Sequence, residues 1–436
     1  MNIIYNAGIH AYALAARLAA CRSPKVRAML RGQAQAVAHV AEVRRRCAPG
    51  GFDLWFHAAS LGEFEQARPL IEMYRRLQPQ LKMLLTFFSP SGYEVRKNYD
   101  KVDCVAYLPF DKPALVTQFL DAAKPRKAIF VKYEFWGNYL SQLRQRGIPV
   151  YLIDAIFRPG QIFFRRGGGQ FRDILRCYRH IFVQDEASKA LLAKIGIDNV
   201  TVAGDTRFDR VTDVKNATVD LPAIQQWLGG GAEKPFVLIA GSSWQPDEQH
   251  YLPWLNAHSD VKAIIAPHEF DTERLHALMS QIKGKTQLWS QVMTAASGQK
   301  IMTAASGQKS DAGKYCAIDS ATQVLIIDSF GLLSSLYRFG TVALVGGGFG
   351  AGIHNINEAA VYGIPVVFGP NHRKFKEAAD LIACGGANEY TDSATLAAIL
   401  DTYKNDPAAL TAAGHSAAAY IAASLGATPA IYQAIN

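Results

Sequence analysis

Cysteines are few, and the common metal-binding and hydrolase motifs are missing. The six cysteines are scattered over 436 residues, without a C-x-x-C pair or a histidine spacing that would build a zinc site. This pattern predicts reduced thiols in a cytosolic protein. No D-x-D, H-E-x-x-H or G-x-S-x-G occurs, which argues against metal-assisted sugar transfer on D-x-D, a metalloprotease and a serine hydrolase. We therefore expect neither a metal nor a cofactor.

Long apolar runs are also missing, since no stretch of roughly 18 uncharged apolar residues could span a bilayer. The chain nevertheless begins with an apolar, aromatic-bearing stretch that carries no charge before Arg17. Basic residues follow it at Arg22, Lys25, Arg27 and Arg31. Because the charges come after the apolar stretch, a cleaved signal peptide is not expected. The composition fits a helix lying on an anionic membrane surface, and equally a helix packed on its own domain with a solvated basic face.

A second group of basic residues lies between 158 and 179. The whole chain has a formal charge of +9, which suits nucleic acid, a membrane or a phosphorylated substrate. In this segment arginines, including Arg165 and Arg166, alternate with phenylalanines around a GGG run at 167–169. Arginine with aromatic residues in a glycine-containing loop fits a ligand that carries phosphates and hydrophobic mass. The alternative is a solvated helix face beside a core aromatic cluster.

Short apolar runs alternate with helical stretches through most of the chain, which predicts parallel sheets buried on both faces. The pattern pauses at 205–233 and then resumes, so we expect two doubly wound α/β domains in tandem. The predicted strands are 53–59, 83–88, 104–109, 127–133, 149–154, 180–185 and 200–204 before the pause, and 236–243, 262–267, 323–329, 342–348 and 365–370 after it. The octapeptide MTAASGQK occurs twice, at 293–300 and 302–309, and is predicted to be a duplicated surface loop without function.

The stretch VGGGFGAGIHNINE, residues 345–358, follows a predicted strand. Ligands in open α/β sheets bind beyond the carboxyl ends of strands, where glycines allow close approach. Free amides near His354 and Asn355 could bind a phosphate, and Glu358 could accept hydrogen bonds from ribose hydroxyls, which together indicate a nucleotide. An NAD site is not favoured, because no acidic residue ends the next strand. The alternative is a glycine-rich turn used only for helix packing.

A second candidate site is HAASLGEFEQARPL, residues 57–70. A strand ends there, a turn of small residues follows, and Glu63 opens a helix. An acidic residue in a first helical turn is often only a partner of the helix dipole. At the lip of a two-domain cleft, the same carboxylate could act as a general base toward a hydroxyl.

Six segments, in order, resemble the bacterial 3-deoxy-D-manno-octulosonate (Kdo) transferases of lipopolysaccharide assembly. The matching segments are SLGE (60–63) for S-x-G-E, PSGYE (90–94) for T-G-Y, KYEFWGN (132–138) for E-x-E-L-W-P-N, GDTRFD (204–209) for G-x-x-K-x-D, AGIHNINEAA (351–360) for G-G-H-N-P-L-E-A-A, and FGPNHRKF (368–375) for F-G-P-H-x-x-N-F. Together they cover nearly the whole chain.

The sequence departs from the family pattern at several of these positions. Lys132 stands where the family usually has the first Glu, Gly137 replaces its Pro, and Arg207 replaces its Lys. The usual Arg-His pair after the 262–267 strand is reduced to Pro267-His268. These changes bear on how the donor and the acceptor are held, whereas Glu63, Asn355 and Glu358 are intact.

The resemblance implies a GT-B type α/β fold with two Rossmann-like doubly wound domains facing across a cleft. Four segments are expected. They are a membrane-associated basic N-terminal segment at 1–45, an acceptor-binding domain at 46–208, a domain binding the nucleotide sugar CMP-Kdo at 209–415, and a C-terminal helix at 416–436 that packs back on the first domain.

The implied activity is inverting, metal-independent transfer of Kdo from CMP-Kdo to lipid IVA, the lipid A precursor, at the cytoplasmic face of the inner membrane. Glu63 would be the general base. Expected donor contacts are Arg207, Ser242, Ser243, His268, Phe330, Gly331, His354, Asn355 and Glu358. Expected acceptor contacts are Ser60, Gly62, Ser91, Lys132, Glu134, Arg165 and Arg166. The expected partners are the lipid A precursor and an anionic membrane surface, with no nucleic acid. The alternatives are a GT-B enzyme that uses a UDP-sugar (a UDP-GlcNAc transferase or epimerase), an NAD-dependent dehydrogenase and a non-catalytic membrane-surface binding protein.

Overall fold

Two parallel β-sheets of seven strands each form the framework of the computed structural model. It describes residues 3–217, 219–229, 235–297 and 317–436. The chain divides into a first unit, Met1–Arg210 with Ser424–Asn436, and a second unit, Val211–Ala423. The second MTAASGQK copy and the end of the first lie outside the described residues, so the prediction made for them stays a prediction.

The elements of the first unit alternate between strands and helices. In chain order they are α1 (Ile3–Ala20), α2 (Pro24–Cys47), β1 (Leu54–Ala58), α3 (Leu61–Leu77), β2 (Met83–Phe87), α4 (Pro90–Arg96), β3 (Cys104–Tyr107), α5 (Pro113–Ala123), β4 (Lys127–Val131), α6 (Gly137–Gln145), β5 (Val150–Ala155), a 3-10 turn (Ile162–Phe164), α7 (Gly169–Leu175), β6 (His180–Val183), α8 (Glu186–Ala193), β7 (Val200–Val202) and α9 (Thr206–Asn216), which runs on into the second unit.

The second unit repeats this alternation. Its elements are α10 (Pro222–Trp227), β8 (Val237–Ser243), α11 (Gln245–Ala257), β9 (Lys262–Pro267), α12 (Thr272–Ser280), β10 (Thr286–Leu288), α13 (Trp289–Ser297), β11 (Val324–Ile326), α14 (Leu333–Leu336), a 3-10 turn (Tyr337–Phe339), β12 (Val342–Val345), α15 (Asn357–Ala360), β13 (Val366–Phe368), α16 (Lys376–Ala383), β14 (Ala387–Glu389), α17 (Ser393–Asn405) and α18 (Pro407–Ala423). Helix α19 (Ala427–Ile435) belongs to the first unit.

Each sheet has a topological switch point, where neighbouring strands connect outward in opposite directions. The strand order is β3-β2-β1-β4-β5-β6-β7 in the first sheet and β10-β11-β9-β8-β12-β13-β14 in the second. All strand pairs are parallel. The switch points therefore lie between β1 and β4 and between β8 and β12, and in open α/β sheets ligands bind at the carboxyl ends of such strands.

The predicted α/β class is confirmed, and every predicted strand is present: most are shorter than predicted, β9 has the predicted bounds, and β5 is shifted by one residue. The strands form because their apolar runs, such as LWFHA in β1, are buried throughout. Strands β10 and β14 were not predicted. They are three-residue edge strands, TQL and ANE, that carry polar side chains because one side of an edge strand has no neighbour to cover it.

The N-terminal helices pack on the first unit. Ser23 caps α2, since its Oγ accepts the Val26 N–H at 3.4 Å, and Pro24 occupies the first turn. Helix α1 buries Ala13 and Ala16, whereas other apolar side chains of this helix are largely exposed, namely Ile3, Ile4, Leu14 and Leu18. No helix within the described residues is long and apolar enough to cross a membrane.

Helix α19 packs against α3 in the first unit. Ile431 and Ile435 join the core beneath β1, and the ring of Tyr432 lies 4.8 Å from that of Tyr74. Asp209 holds the start of the helix, because its carboxylate accepts the N–H groups of Gly426 at 2.7 Å and Thr428 at 2.6 Å.

Candidate functional site

Glu63 lies in the first turn of α3, directly after β1 at the first switch point. The hydroxyl of Ser60 donates to Glu63 Oε2. Ser60 is the N-cap residue of α3, but in the described chain its side chain accepts no hydrogen bond from a helix amide. Gly62 is exposed beside this pair. The carboxylate therefore interacts with a serine hydroxyl at the edge of the sheet and is partly open to solvent.

Glu134 occupies the equivalent place after β4, the neighbouring strand, but is almost fully buried. Its Oε2 accepts hydrogen bonds from His57 Nε2 at 2.8 Å and from Trp136 Nε1 at 2.5 Å. The side chain of His57 is inaccessible, and its Nδ1 contacts Thr86 Oγ1 at 2.9 Å. Glu134 is thus fixed in orientation by two ring nitrogens. The role of His57 was not predicted, although it lies in the same HAASLGE stretch as Glu63.

Lys132 turns the chain between β4 and Glu134. Its φ of 64° is in the left-handed region, which is uncommon for a residue with a side chain. Its ammonium lies 5.6 Å from the ring centroid of Tyr133. Burial raises the pKa of Tyr133, the positive charge of Arg158 lowers it, and the negative charges of Glu63 and Asp185 raise it further. Tyr133 is therefore a neighbour of Glu63 that the sequence did not single out.

The remaining predicted acceptor residues lie on neighbouring loops. The β2–α4 turn is tied to the β1–α3 turn, since Ala59 O accepts the Phe88 and Ser89 N–H groups at 3.2 and 2.7 Å. Ser91 lies on that turn, exposed and 3.0 Å from the Ser89 hydroxyl. Arg165 and Arg166 lie beyond β5 and are exposed. The structure thus gathers Ser60, Gly62, Glu63, Ser91, Lys132 and Glu134 at one edge, whereas the two arginines lie on a separate loop.

Arg207, at the start of α9, is paired within its own turn. Its guanidinium contacts Asp205 Oδ2 at 2.7 Å from Nη2 and at 3.0 Å from Nε. Thr206, between them, donates its N–H to Asp154 Oδ1 at 2.9 Å. Arg207 is accordingly held in place by an acidic neighbour that the motif GDTRFD supplies.

The glycine cluster after β12 packs against this chain's own backbone. A β-carbon at position 346 would lie 2.3 Å from the Ser242 carbonyl oxygen, and one at 348 would lie 2.6 Å from the Gly369 backbone. Asp247, fully buried, accepts the Gly347 and Trp244 N–H groups at 3.0 Å each. The space expected to admit a ligand at 346 and 348 is thus filled by protein. Gly346 and Gly348 therefore fit the alternative interpretation, a glycine-rich turn used for packing.

The prediction of a free amide at His354 is wrong. The His354 N–H donates to Gly346 O at 3.1 Å, and α15 begins only at Asn357. The Asn357 N–H in turn is accepted by Asn355 Oδ1 at 3.2 Å. The helix starts later than expected, after the loop has turned back on the glycines, and Ile356 rather than Asn355 is its N-cap residue.

Side chains at the second switch point form a stack of three rings. Trp244 and His268 stack with centroids 4.3 Å apart, His268 and His354 with centroids 4.6 Å apart. Trp244 Nε1 donates to His354 Nε2 at 3.1 Å. Burial lowers the pKa of His354, and the neighbouring His268 lowers it further. His354 is therefore neutral, with its ring hydrogen on Nδ1, since the indole can only donate. Trp244 was not predicted.

The other predicted donor residues differ in their hydrogen bonds and in their exposure. Glu358 accepts from Asn355 Nδ2 at 3.0 Å and from Ser334 Oγ at 2.5 Å. Phe330 is 86% exposed, its ring centroid is 4.6 Å from that of Phe270, and Gly331 follows with a φ of 87°.

The two serines at the end of β8 differ in accessibility. Ser243 is buried, and its hydroxyl contacts Tyr251 at 3.0 Å and Glu248 at 3.3 Å. Its carbonyl oxygen accepts the His268 N–H at 2.9 Å, which ties the β8 and β9 ends together. Ser242 has a φ of 49° and is only partly buried. The Ser243 side chain thus supports the loop, and Ser242 lies nearer the surface.

Among the described residues, no group of three or more His, Cys, Asp or Glu side chains is arranged to hold a metal ion.

Comparisons with known proteins agree with the motifs. Residues 13–210 match the family model described as 3-deoxy-D-manno-octulosonic-acid transferase (kdotransferase). A 3-deoxy-D-manno-octulosonic acid transferase of Bordetella pertussis is 29% identical over 406 residues, which are 88% of this chain and 87% of that protein. The Aquifex aeolicus protein of the same name is 25% identical, over 77% of this chain and 80% of its own.

The fold comparison supports the GT-B type. A putative UDP-N-acetylglucosamine 2-epimerase from Listeria monocytogenes has a TM-score of 0.53 at 12% identity, covering 88% of this chain and 96% of its own. At this identity the likeness concerns the fold alone. The sequence relatives bear out the resemblance predicted from the six motifs: residues 13–210 match the Kdo transferase family model, and most of the chain is similar to 3-deoxy-D-manno-octulosonic acid transferases.

Proposed function

We propose that this chain is an inverting, metal-independent glycosyltransferase that moves Kdo from CMP-Kdo to lipid IVA. Its similarity to Kdo transferases supports Kdo transfer in lipopolysaccharide biosynthesis. The observation that carries the assignment of a catalytic residue is the position of Glu63, a partly exposed carboxylate after β1 at the switch point of the first sheet. A base in this place needs to come within about 2.6–3.2 Å of the acceptor hydroxyl.

In the proposed reaction Glu63 takes the proton from the acceptor hydroxyl as its oxygen attacks the anomeric carbon of Kdo. The bond from that carbon to the CMP phosphate breaks, and CMP leaves with the negative charge. Ser60 keeps the carboxylate in one orientation before the acceptor arrives, because its hydroxyl donates to Oε2. Glu134, held by His57 and Trp136, would accept a hydrogen bond from the acceptor.

On the second unit we propose that the phosphate of CMP binds beside His354 and Asn355. The donor groups are side chains rather than the His354 amide, which is already bonded. His354 carries its ring hydrogen on Nδ1, so that atom can donate to a phosphate oxygen without adding a charge that depends on pH. Glu358, fixed by Asn355 and Ser334, would hold the ribose. Ser242, Ser243, His268, Phe330 and Gly331 of this unit remain proposed donor contacts, as does Arg207 of the first unit.

We further propose that the protein binds peripherally to the cytoplasmic face of the inner membrane through its first two helices. The exposed apolar side chains of α1 include Ile3 and Ile4, which are 87% and 77% exposed. The basic residues Arg22, Lys25 and Arg31 of the same segment are exposed as well. An apolar helix flanked by basic side chains is suited to an anionic lipid surface, where Arg165 and Arg166 could meet the acceptor phosphates.

The proposal is tested by mass spectrometry of lipid IVA after incubation with the purified protein and CMP-Kdo generated in situ, with and without EDTA. We expect addition of Kdo in both tubes. Transfer that disappears with EDTA would refute metal independence. A protein that transfers nothing from CMP-Kdo, but binds UDP-sugars more tightly than CMP, would refute the assignment of the donor.

The role of Glu63 is tested with Glu63→Gln, which keeps the size of the side chain and removes the base. We expect turnover to fall by about 10²–10⁴-fold, while CMP binding measured by calorimetry is unchanged. Glu65→Gln is the matched control, since it makes the same change two residues further along α3, where Glu65 pairs with Arg68 and Arg96. Equal turnover of the two variants would show that Glu63 is only a partner of the helix dipole.

A further inference from the structure

The first turn of α6 is joined to the N-terminal helix by partly buried hydrogen bonds. The hydroxyl of Tyr5, in α1, donates to Asp111 Oδ2 at 2.6 Å and accepts the Gly137 N–H at 2.8 Å. Asn6 Oδ1, one residue further, accepts from Asn138 Nδ2 at 2.8 Å. The first amide of α6 therefore finds its partner more than a hundred residues away in sequence, on a helix that could otherwise be regarded as an appendage.

Asp111 completes this arrangement. It is fully buried, and its two oxygens accept the next N–H groups of α6, from Asn138 and Tyr139, at 2.9 Å each. The first amides of a helix have no partner within the helix and need one from outside. Tyr5 and Asp111 together supply partners for three successive amides of α6. Burial raises the pKa of Asp111 to about 6 although these hydrogen bonds oppose the shift.

The segment just before α6 carries the proposed acceptor residue. Gly137 directly follows Trp136, and the Trp136 indole donates to the carboxylate of Glu134. The ring of Trp136 packs 4.9 Å from Phe88, which in turn stacks on Tyr12 of α1 at 6.1 Å. Any displacement of the Gly137 amide would move Trp136 and with it the orientation of Glu134. Helix α1 thus contacts this loop in two ways: a polar contact from Tyr5 to Gly137, and an aromatic one from Tyr12 through Phe88 to Trp136.

We propose that Tyr5 is a positioning residue: its hydroxyl fixes the start of α6 and thereby holds Glu134 in the orientation in which it meets the acceptor. The hydroxyl itself touches neither substrate, and it acts through Gly137 and Trp136. Its effect is on the acceptor side only, because the donor residues Asn355 and Glu358 belong to the second unit. The acceptor part of this inference rests on the proposed function, whereas the link between α1 and α6 does not.

The test compares Tyr5→Phe with Tyr12→Phe in the full-length protein. Both changes remove one hydroxyl from α1 and keep the ring. The Tyr5 hydroxyl makes two hydrogen bonds, whereas the Tyr12 hydroxyl makes none with the described residues. Hydrogen exchange followed by mass spectrometry reports on the α6 amides without any substrate. Loss of one hydrogen bond corresponds to roughly a fivefold to tenfold change in an equilibrium, so peptides covering 137–139 should exchange about that much faster in Tyr5→Phe and not in Tyr12→Phe.

Steady-state kinetics with lipid IVA in detergent micelles give the second readout. We expect Tyr5→Phe to raise the KM for the acceptor by about fivefold to tenfold, with the KM for CMP-Kdo unchanged, and we expect Tyr12→Phe to behave like the unmodified protein. Asn6→Ala, which removes the other polar contact with α6, should change the same two quantities in the same direction. It keeps the test decisive if Tyr5→Phe proves too unstable to assay.

Each outcome separates the two proposals. If exchange at 137–139 is equal in the two tyrosine variants, the link between α1 and α6 is refuted. If exchange rises but the acceptor KM stays constant, Tyr5 supports the helix without positioning the acceptor site, and the inference fails. If the unmodified protein transfers no Kdo at all, the proposed function fails, while the exchange comparison still decides whether Tyr5 fixes α6.

Discussion

Asp154 should carry a proton at neutral pH, and removing its ability to ionise should stabilise the first unit. The residue is fully buried at the end of β5. Thr206 Oγ1 lies 2.6 Å from the Gln66 carbonyl oxygen and 2.9 Å from Asp154 Oδ2. The hydroxyl has one hydrogen, and a carbonyl oxygen can only accept. With that hydrogen directed at Gln66, the contact with Asp154 needs a hydrogen from the carboxyl group.

The electrostatic surroundings lead to the same conclusion. Burial and the adjacent Asp205 carboxylate raise the pKa of Asp154 well above its ordinary range, to about 8, against the opposing hydrogen bond from the Thr206 N–H and the positive charge of Arg207. An unfolded chain releases this proton near pH 4. Between about pH 4 and pH 8 the folded state therefore binds one more proton than the unfolded state, and stability falls as the pH rises through this window.

Asp154→Asn places an amide where the neutral carboxyl stands, so Thr206 keeps both partners. A one-unit change in pKa corresponds to about 1.36 kcal/mol. The free energy of unfolding of the variant should therefore exceed that of the unmodified protein by about that much more for each pH unit. Between pH 5 and pH 7 this difference in the free energy of unfolding should increase by about 2.7 kcal/mol, which corresponds to roughly 5–11 °C in Tm for a unit of this size. Calorimetry at the two pH values measures it, with the exposed Asp173→Asn as control. A Tm difference that is the same at both pH values would refute a protonated Asp154.

Two further predictions concern the second unit. Asn357 is fully buried, and neither polar atom of its side chain has a partner among the described residues. Since each unsatisfied buried group costs about 1–3 kcal/mol, Asn357→Leu should raise the Tm of this unit by several degrees in calorimetry, and a lower Tm would show that the amide is bonded in solution. Trp244→Phe removes the N–H that His354 Nε2 accepts. The pKa of His354 should rise toward its ordinary value in an NMR titration, and an unchanged pKa would mean that the indole does not fix the tautomer.

The sequence predicted the sheets well because their strands are buried on both faces. An apolar run such as 236–243 is short enough to favour a buried strand over a helix, and β8 occupies Val237–Ser243. The strands that were missed, β10 and β14, lie at sheet edges, where hydrogen bonding to one neighbour suffices and apolar side chains are not required. For these strands the tertiary position, rather than the local pattern, determines the structure.

The sequence predicted which loops carry the candidate sites, but it predicted the contacts within those loops less well. Strand ends identified the loops of Glu63 and Glu358, because parallel strands all end at one edge. The glycine pattern predicts space for a ligand at 346 and 348, but Ser242 and Gly369 fill that space. A single sequence cannot distinguish close approach of a ligand from close packing of the protein's own backbone, since both need a residue without a β-carbon. His57 and Trp244 were missed because their partners, Glu134 and His354, are distant in sequence.

The contrast between two carboxylates at the first switch point bears on which one is the base. The pattern Ser60-x-x-Glu63 resembles a capping box, in which the serine oxygen would accept a helix amide and the glutamate would bond back to the N-cap amide. In the described chain the Ser60 side chain accepts no such bond, and its hydroxyl instead donates to Glu63. Glu134 is almost fully buried, and its Oε2 accepts from two ring donors. A general base has to exchange its proton with solvent after each turnover, which the partly exposed Glu63 can do more readily than the almost fully buried Glu134. Local sequence rules fail most often at functional sites, and the failure of the capping box at Ser60 therefore favours catalysis over helix capping.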